Sequence, residues 1–142
     1  MSEIRTYRLD IDTKNTILGK IEAFFRSKTE VEFAYVYGSF LGANIFRDMD
    51  IGVYVDETKV RDIVKSELGL EGELERYLGV KIPLDVRIIN KSHVAYAYNV
   101  LKGRLIFNRN DRKRVNFSTY VLSRYFDLEP VLSYHQKEAF VP

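Results

Sequence analysis

The sequence predicts an α/β or α+β domain in which helices alternate with the strands of one sheet. Two observations support this fold class: apolar residues recur at helical spacing in several stretches, and short apolar runs separate those stretches. The chain has 142 residues, 46% of them hydrophobic, which is enough to bury the core of one ordinary domain. We therefore expect a single domain over residues 1–142, with its core at about 13–128 and a C-terminal tail at 129–142.

The first helix is predicted over residues 13 to about 28, with Thr13 as the cap of its N-terminus. Its inward face carries apolar side chains at helical spacing, namely Ile17, Leu18, Ile21, Phe24 and Phe25. The apolar and aromatic run Phe33–Tyr37 predicts a buried strand, which Gly38 and Ser39 end. A glycine-serine turn is thus expected at the end of a buried strand.

The middle of the chain predicts two more strands around a long helical stretch. Asp50–Val55 predicts the second strand and Leu84–Ile89 the third. Residues 58–78 between them keep helical spacing, although Gly69 and Gly72 could divide this stretch in two.

The last part of the chain predicts a helix, a strand and a final helix. Residues 92–102 have helical spacing, and Gly103 fits the C-cap of that helix. Arg104–Phe107 predicts a fourth strand, expected at an edge of the sheet. Residues 111–127 predict the final helix, after which the apolar residues show no clear period.

Composition excludes several classes of protein. The chain has no cysteine, so it cannot be a disulfide scaffold, a thiolate zinc site or a cysteine enzyme. No run approaches the roughly 20 apolar residues that cross a bilayer. The N-terminus also lacks the apolar core of a signal peptide. We therefore expect a cytoplasmic protein without membrane contact.

The charge balance gives no sign of direct nucleic-acid binding. The net charge is +2, from 22 basic and 20 acidic residues, which is too balanced to indicate a nucleic-acid partner. A basic cluster does stand near the last predicted helix, formed by Arg109, Arg112, Lys113 and Arg114. We expect these four side chains to form a solvated face rather than an RNA site.

Three aspartates are predicted to meet on one face of the sheet. Successive side chains of a strand point to opposite faces, so Asp48 and Asp50 share a face while Met49 and Ile51 point to the other. The Cα atoms of the two aspartates would lie roughly 6.5–7 Å apart. Asp85 likewise faces away from the apolar side chains of its own strand, and it joins the pair if the two strands are neighbours.

Such a cluster predicts a metal-dependent phosphate site. Neighbouring carboxylates raise one another's pKa unless a positive charge offsets the repulsion. Mg²⁺ provides that charge, and it binds one or two carboxylates together with substrate phosphates. Two metal ions about 3.5–4 Å apart can stabilise an in-line displacement at phosphorus. The turn at Gly38 and Ser39 adds backbone N–H groups and a hydroxyl for phosphate oxygens.

The motifs, in this order, resemble those of the minimal nucleotidyltransferases (MNT), members of the DNA polymerase beta-like nucleotidyltransferase superfamily. The matching segments are Tyr37-Gly38-Ser39-Phe40, Asp48-Met49-Asp50-Ile51 and Leu84-Asp85-Val86. The likeness extends from the first helix to about Leu128. Two later segments, Leu101–Phe107 and Arg124–Leu128, also resemble MNT proteins found as antitoxins beside HEPN-domain toxins.

The resemblance implies a mixed four- to five-stranded sheet flanked by helices, the nucleotidyltransferase fold. It also implies that Mg²⁺ and ATP bind at Gly38, Ser39, Asp48, Asp50 and Asp85. Asp48 and Asp50 would hold the metal ions. Asp85 would hold the second ion and help to activate the attacking hydroxyl as a general base.

Two arginines are candidates for a nucleotide-binding role. The family often has a basic residue three positions after the serine, where this chain has Gly42. Arg47 or Arg87 would supply that positive charge. Because Arg87 shares the predicted face of Asp85, the alternative for Arg87 is a structural ion pair with the aspartates.

For the antitoxin branch, the resemblance implies transfer of AMP from ATP to a tyrosine hydroxyl of a HEPN toxin, with release of pyrophosphate. The alternative is an antitoxin of the same fold that neutralises its partner by binding, with weak or no catalysis. The segment Phe40–Arg47 keeps this alternative open, because it is shorter than the family usually has between its Gly-Ser motif and the first aspartate.

Overall fold

The computed structural model describes residues 5–42 and 45–140, the last ten of these by their backbone alone. The elements in chain order are β1 (Tyr7–Arg8), α1 (Ile11–Arg26), β2 (Val31–Tyr37), α2 (Ser39–Gly42), β3 (Ile45–Phe46), β4 (Met49–Val55), a 3-10 helix (Glu57–Lys59), α3 (Ile63–Leu78), β5 (Leu84–Ile88), α4 (Val94–Leu101), β6 (Arg104–Asn108) and α5 (Asp111–Phe140). Helices and strands alternate through most of the chain, as the sequence predicts.

A mixed four-stranded sheet with the order β5-β4-β2-β6 forms the centre of the fold. β2 pairs antiparallel with both β4 and β6, whereas β4 and β5 are parallel. The predicted mixed sheet and the edge position of Arg104–Phe107 are therefore confirmed. β1 and β3 form a separate antiparallel pair of two residues each, which is too short to give a periodic signal in the sequence.

Apolar side chains cover both faces of the sheet. One face packs against α1 and α3, where Ile21, Phe25 and Leu74 meet the buried side chains of β4. The other face carries aromatic residues of β2, which pack against Val100 of α4. Asp50 and Asp85 lie on this second face, because their strand neighbours Ile51 and Val86 point into the first core. The polar site is thus supported from behind by the larger core.

The observed N-termini of three helices differ from the predicted ones, by two residues in α4 and α1 and by five in α3. α1 begins at Ile11 rather than at residue 13, and Asp10 is its N-cap because its carboxylate accepts a hydrogen bond of 2.7 Å from the Thr13 backbone N–H. The predicted Thr13 cap is therefore wrong. The stretch 58–78 contains the 3-10 turn and then α3, which starts after its N-cap Asp62.

The glycines of the helical regions also act differently from the prediction. Gly69 and Gly72 do not divide α3, which runs unbroken because Leu70, Leu74 and Leu78 anchor one face in the core. Gly103 is not a C-cap, since Lys102 caps α4. A Cβ atom at Gly103 would collide with the carbonyl oxygen of Val36, so the close approach of β6 to β2 requires glycine there.

The final helix is longer than predicted. α5 begins at Asp111 as expected but continues to Phe140, with Pro130 inside it, so the predicted helix end at residue 127 is wrong. Residues 141–142 of the predicted tail lie outside the described residues. Within the described part of the chain, no helix is both long enough and apolar enough to cross a membrane.

Candidate active site

Asp50 and Asp85 stand side by side on neighbouring strands. The parallel register of β4 and β5 pairs Asp50 with Asp85, and it pairs Ile51 with Val86 on the opposite face. The strand adjacency on which the position of Asp85 depended is therefore present. Both aspartates are half-buried, so their carboxylates are partly withdrawn from water but still reach the surface.

Asp48 completes a group of three carboxylates. It lies one residue before β4 and is half-buried. The pKa of the Asp50 carboxyl is raised to about 6, first by its burial and then by the negative charges of Asp48 and Asp85, while Arg87 acts in the opposite direction. The three aspartates are thus close enough to repel one another, and Arg87 does not fully offset their charge.

The turn after β2 closes directly over Asp50. Gly38 has a φ of +83°, which L side chains rarely adopt. A Cβ atom at this position would lie 2.6 Å from Oδ2 of Asp50. The exposed Ser39 follows as the first residue of α2. The structure therefore places the predicted glycine-serine turn against the aspartates.

A buried lysine holds this turn from below. Lys14 of α1 donates a hydrogen bond of 2.7 Å from Nζ to the carbonyl oxygen of Phe40 in α2. Its ammonium group also lies over the rings of Phe40 and Phe46, 5.1 and 5.0 Å from their centroids. The sequence pattern predicted only a core helix over residues 13–28. A lysine at the edge of an apolar helix face gives no local signal of this contact.

The two candidate arginines differ in their surroundings. Arg87 donates a hydrogen bond of 2.9 Å from Nε to Oδ1 of Asp85, which is the ion pair considered as its alternative role. This contact raises the pKa of Arg87. Arg47 is exposed between β3 and Asp48. Ala43 and Asn44, within the segment whose shortness raised the question of nucleotide binding, lie outside the described residues.

Two tyrosines contact each other beside the aspartates, and the sequence pattern did not indicate this contact. Tyr37 is the register partner of Asp50 on the adjacent strand, and its hydroxyl contacts the hydroxyl of Tyr96 from α4. Burial, this contact and the nearby aspartates raise the pKa of Tyr37. Because the tyrosines are far apart in the chain, only the packing of α4 against the sheet brings them together.

Asp50, Asp85 and the two tyrosines border one open cleft of about 620 Å³, whereas Asp48 is not among its lining residues. His93 and Ser92 complete its rim at the start of α4. His93 is exposed, and its Nδ1 accepts a hydrogen bond of 3.2 Å from the Ala95 backbone N–H, which makes it the N-cap of α4. The cleft is large enough for a small-molecule substrate.

The residues of the cleft fit a hard divalent cation. Among the side chains that the structure describes, no three acidic or histidine groups form a ready-made metal cage. A cation such as Mg²⁺ needs only one or two carboxylates, since phosphate oxygens and water complete its coordination. The raised pKa of Asp50 reflects negative charge that a bound cation would offset. Asp48, Asp50 and Asp85 would supply the oxygen ligands.

The basic cluster is largely engaged in contacts within the protein. Arg109 donates from Nε to the Val31 carbonyl at 3.0 Å and from Nη2 to the Arg26 carbonyl at 2.9 Å. Arg114 pairs with Asp111, and Lys113 pairs with Glu32. These contacts tie the start of α5 to the rest of the fold, whereas Arg112 is exposed.

Known proteins match this chain in sequence family and in fold. The family model "Polymerase beta, Nucleotidyltransferase" matches residues 19–112. No curated protein matches the chain. A solved complex of the tri-AMPylated HEPN toxin of Shewanella oneidensis with MNT antitoxin contains a similar chain, with a TM-score of 0.68 and 15% identity over 90% of this chain and 99% of that one. A toxin-antitoxin structure with AMP-PNP matches with a TM-score of 0.69 and 16% identity, over 87% and 98% of the two chains.

Proposed function

Because the chain belongs to the polymerase beta nucleotidyltransferase family, we propose that it transfers AMP from ATP to a tyrosine hydroxyl of a HEPN-type partner and so acts as an antitoxin. The observation that carries this proposal is the pairing of Asp50 with Asp85 beside a turn whose Gly38 packs against Asp50 in a conformation that L side chains rarely adopt. Two aspartates that merely stood in solvent would require neither the close turn at Gly38 nor the register that pairs Asp50 with Asp85.

In this proposal the nucleotide binds beside the glycine-serine turn, with its phosphates next to the aspartates. The Ser39 hydroxyl and the backbone N–H groups after Gly38 face the phosphates. Asp48, Asp50 and Asp85 hold Mg²⁺, which when bound stabilises negative charge on the phosphate oxygens. Arg47 and Arg87 supply positive charge at the rim of the site.

The reaction exchanges one phosphorus–oxygen bond for another. The tyrosine oxygen of the partner forms a bond to the α-phosphorus of ATP, while the bond from that phosphorus to the bridging oxygen of the β-phosphate breaks. Pyrophosphate leaves, and the tyrosine carries AMP. We propose Asp85, on the strand farthest from the glycine-serine turn, as the group that accepts the proton of the attacking hydroxyl.

The partner and the transferred group are suggested by the similar structures. One of them contains a tri-AMPylated HEPN toxin beside an MNT antitoxin, and another contains AMP-PNP. The identities of 15% and 16% support a common fold, and the chemistry of the cleft supports the extension to this chain.

A second candidate function is neutralisation of the partner by binding alone. The observation that favours it is the hydrogen bond from Arg87 to Asp85, because a guanidinium on this carboxylate competes with a metal ion for the same oxygen. In this alternative the protein binds its partner without catalysis, and the aspartates form a structural ion-pair network.

Transfer of labelled AMP to the partner protein distinguishes the enzymatic function from neutralisation by binding. The protein is incubated with α-labelled ATP, Mg²⁺ and a candidate HEPN partner, beside the variant Asp48→Asn/Asp50→Asn. We expect label on the partner with the wild-type chain and none with the variant. A tight complex of the two proteins without label on the partner would contradict the enzymatic function and support neutralisation by binding.

A further inference from the structure

A narrow groove separates α3 from the outer edge of β5, beside the aspartates. It has a volume of about 290 Å³. We call it the α3–β5 groove, and the side chains that define it are Val64, Glu67, Leu68, Glu71, Asp85 and Arg87. Three of these, Glu67, Asp85 and Arg87, also line the active-site cleft. The groove and the cleft therefore adjoin each other at these three residues.

The backbone edge of β5 is already occupied within the groove. The N–H of Val86 donates to Oε1 of Glu71 at 3.0 Å, and the N–H of Ile88 donates to Oε1 of Glu67 at 2.9 Å. A partner strand that added to this edge would need the same two donors. The groove therefore favours side chains of a partner over an added strand.

Two large apolar side chains stand unburied at the groove. Val64 and Leu68 lie one helical turn apart on α3 and are 64% and 65% exposed. The buried side of the same helix is formed by Leu70, Leu74 and Leu78. Adjacent exposed apolar side chains that border a cleft are typical of a surface that binds another molecule.

The charge of the groove restricts the chemistry of its occupant. Glu67, Glu71 and Asp85 supply three carboxylates, and Arg87 is the positive group among the groove's lining residues. Arg87 is itself paired with Asp85. A basic side chain beside an apolar one would therefore complement this surface, whereas an acidic segment would be repelled.

The sheet order sets the side from which an acceptor can approach. Gly38 ends β2 and Asp85 lies on the edge strand β5, with β4 between them. A nucleotide whose phosphates contact the glycine-serine turn occupies the β2 side of the aspartates. An acceptor hydroxyl must then reach Asp85 from the β5 side, where the α3–β5 groove opens.

We propose that the α3–β5 groove binds the segment of the partner protein that carries the acceptor hydroxyl, with an apolar side chain against Val64 and Leu68 and a basic side chain among the carboxylates. This inference rests on the proposed function, which supplies the acceptor. It adds the residues that recognise the partner and the chemical character of the recognised segment.

The test compares Leu68→Ser and Val64→Ser with the control Ile11→Ser, whose apolar side chain is 68% exposed at the start of α1. Two quantities are measured with the HEPN partner: the affinity of the complex without nucleotide, and the rate of label transfer from α-labelled ATP as the partner concentration varies. We expect each groove variant to weaken the complex and to raise the KM for the partner about tenfold, because a buried apolar contact is lost. ATP affinity should stay unchanged.

The outcomes distinguish the groove from the enzymatic function. A complex that depends on Leu68 but transfers no label would overturn the proposed transferase and support the groove. Label transfer with an unchanged KM in both groove variants would overturn the groove and leave the transferase in place. A wild-type chain that neither binds nor labels the HEPN partner would overturn both.

Discussion

Oδ2 of Asp50 lies 2.6 Å from the point where a Cβ atom of residue 38 would stand, so any side chain at residue 38 would force the Asp50 carboxylate to move. This contact joins the glycine-serine turn to the carboxylates in one site. It also explains why the turn uses a residue that accepts a φ of +83°.

Gly38→Ala should therefore abolish nucleotide transfer while the protein still folds. The new methyl group both strains the backbone and displaces the Asp50 carboxylate, at a cost to the free energy of unfolding of about 1–3 kcal/mol. Gly19→Ala is the matched control, because a Cβ atom there meets nothing within 4 Å on the exposed side of α1. The control should gain about 0.5–1 kcal/mol and keep its activity. Urea unfolding and label transfer are measured for both variants. Full activity of Gly38→Ala would contradict this account of the turn.

The raised pKa of Asp50 predicts a specific dependence of stability on pH. Its folded-state pKa of about 6 exceeds its ordinary value of 3.8, so the folded protein binds more protons than the unfolded chain between these pH values. The contribution to stability is thus fully present below about pH 4 and is lost as the pH rises through about 6.

The variant Asp50→Asn isolates this effect, because it carries no titrating group at this position. Thermal unfolding midpoints of wild type and variant should diverge in favour of the variant as the pH rises from about 4 to about 6. Acidic groups away from this site titrate equally in both proteins. Midpoints that run parallel over this range would show that the Asp50 carboxyl is not perturbed.

Arg87→Met should weaken ATP binding with little effect on stability. The pair with Asp85 is largely exposed, and such pairs contribute about 0–1 kcal/mol. A guanidinium that contacts phosphate contributes more, so we expect ATP affinity to fall about tenfold. Calorimetric titration with ATP and Mg²⁺ measures the change, with the exposed Arg61→Met as the control. An unchanged ATP affinity would contradict a role of Arg87 in nucleotide binding and would support only its ion pair with Asp85.

Arg109→Met should destabilise the fold without any change in nucleotide chemistry. The guanidinium bonds to carbonyl oxygens at the end of α1 and the start of β2, and its loss should lower the free energy of unfolding by about 1–3 kcal/mol. Arg112→Met, an exposed neighbour, is the control and should change it by less than about 0.5 kcal/mol. Equal midpoints of urea unfolding for the two variants would contradict the structural role of Arg109.

Local patterns predict those parts of the fold that depend on local physics. The strands β2, β4, β5 and β6 follow from apolar runs and alternation, and the shared face of Asp48 and Asp50 follows from the strand period. The cap of α1 could not be fixed from spacing alone, because Asp10 and Thr13 lie three positions apart and are both of residue types that cap helices.

Features that depend on pairing could not be predicted from local patterns. The register of Asp85 with Asp50, the contact of Tyr37 with Tyr96 and the closeness of Gly103 to β2 all join residues that are distant in the chain. The end of α5 was misplaced for a different reason, since the apolar residues show no clear period after residue 127, yet the helix continues through Pro130.

The central claim is that Asp48, Asp50 and Asp85 form one metal-dependent nucleotide site. Its most direct test is calorimetric titration of the protein with ATP in the presence and absence of Mg²⁺, for wild type, Asp48→Asn/Asp50→Asn and Asp85→Asn. We predict ATP binding that requires Mg²⁺ in the wild type, is lost in the double variant and is weakened in Asp85→Asn. ATP binding of equal strength without Mg²⁺, or undiminished in the double variant, would contradict the claim.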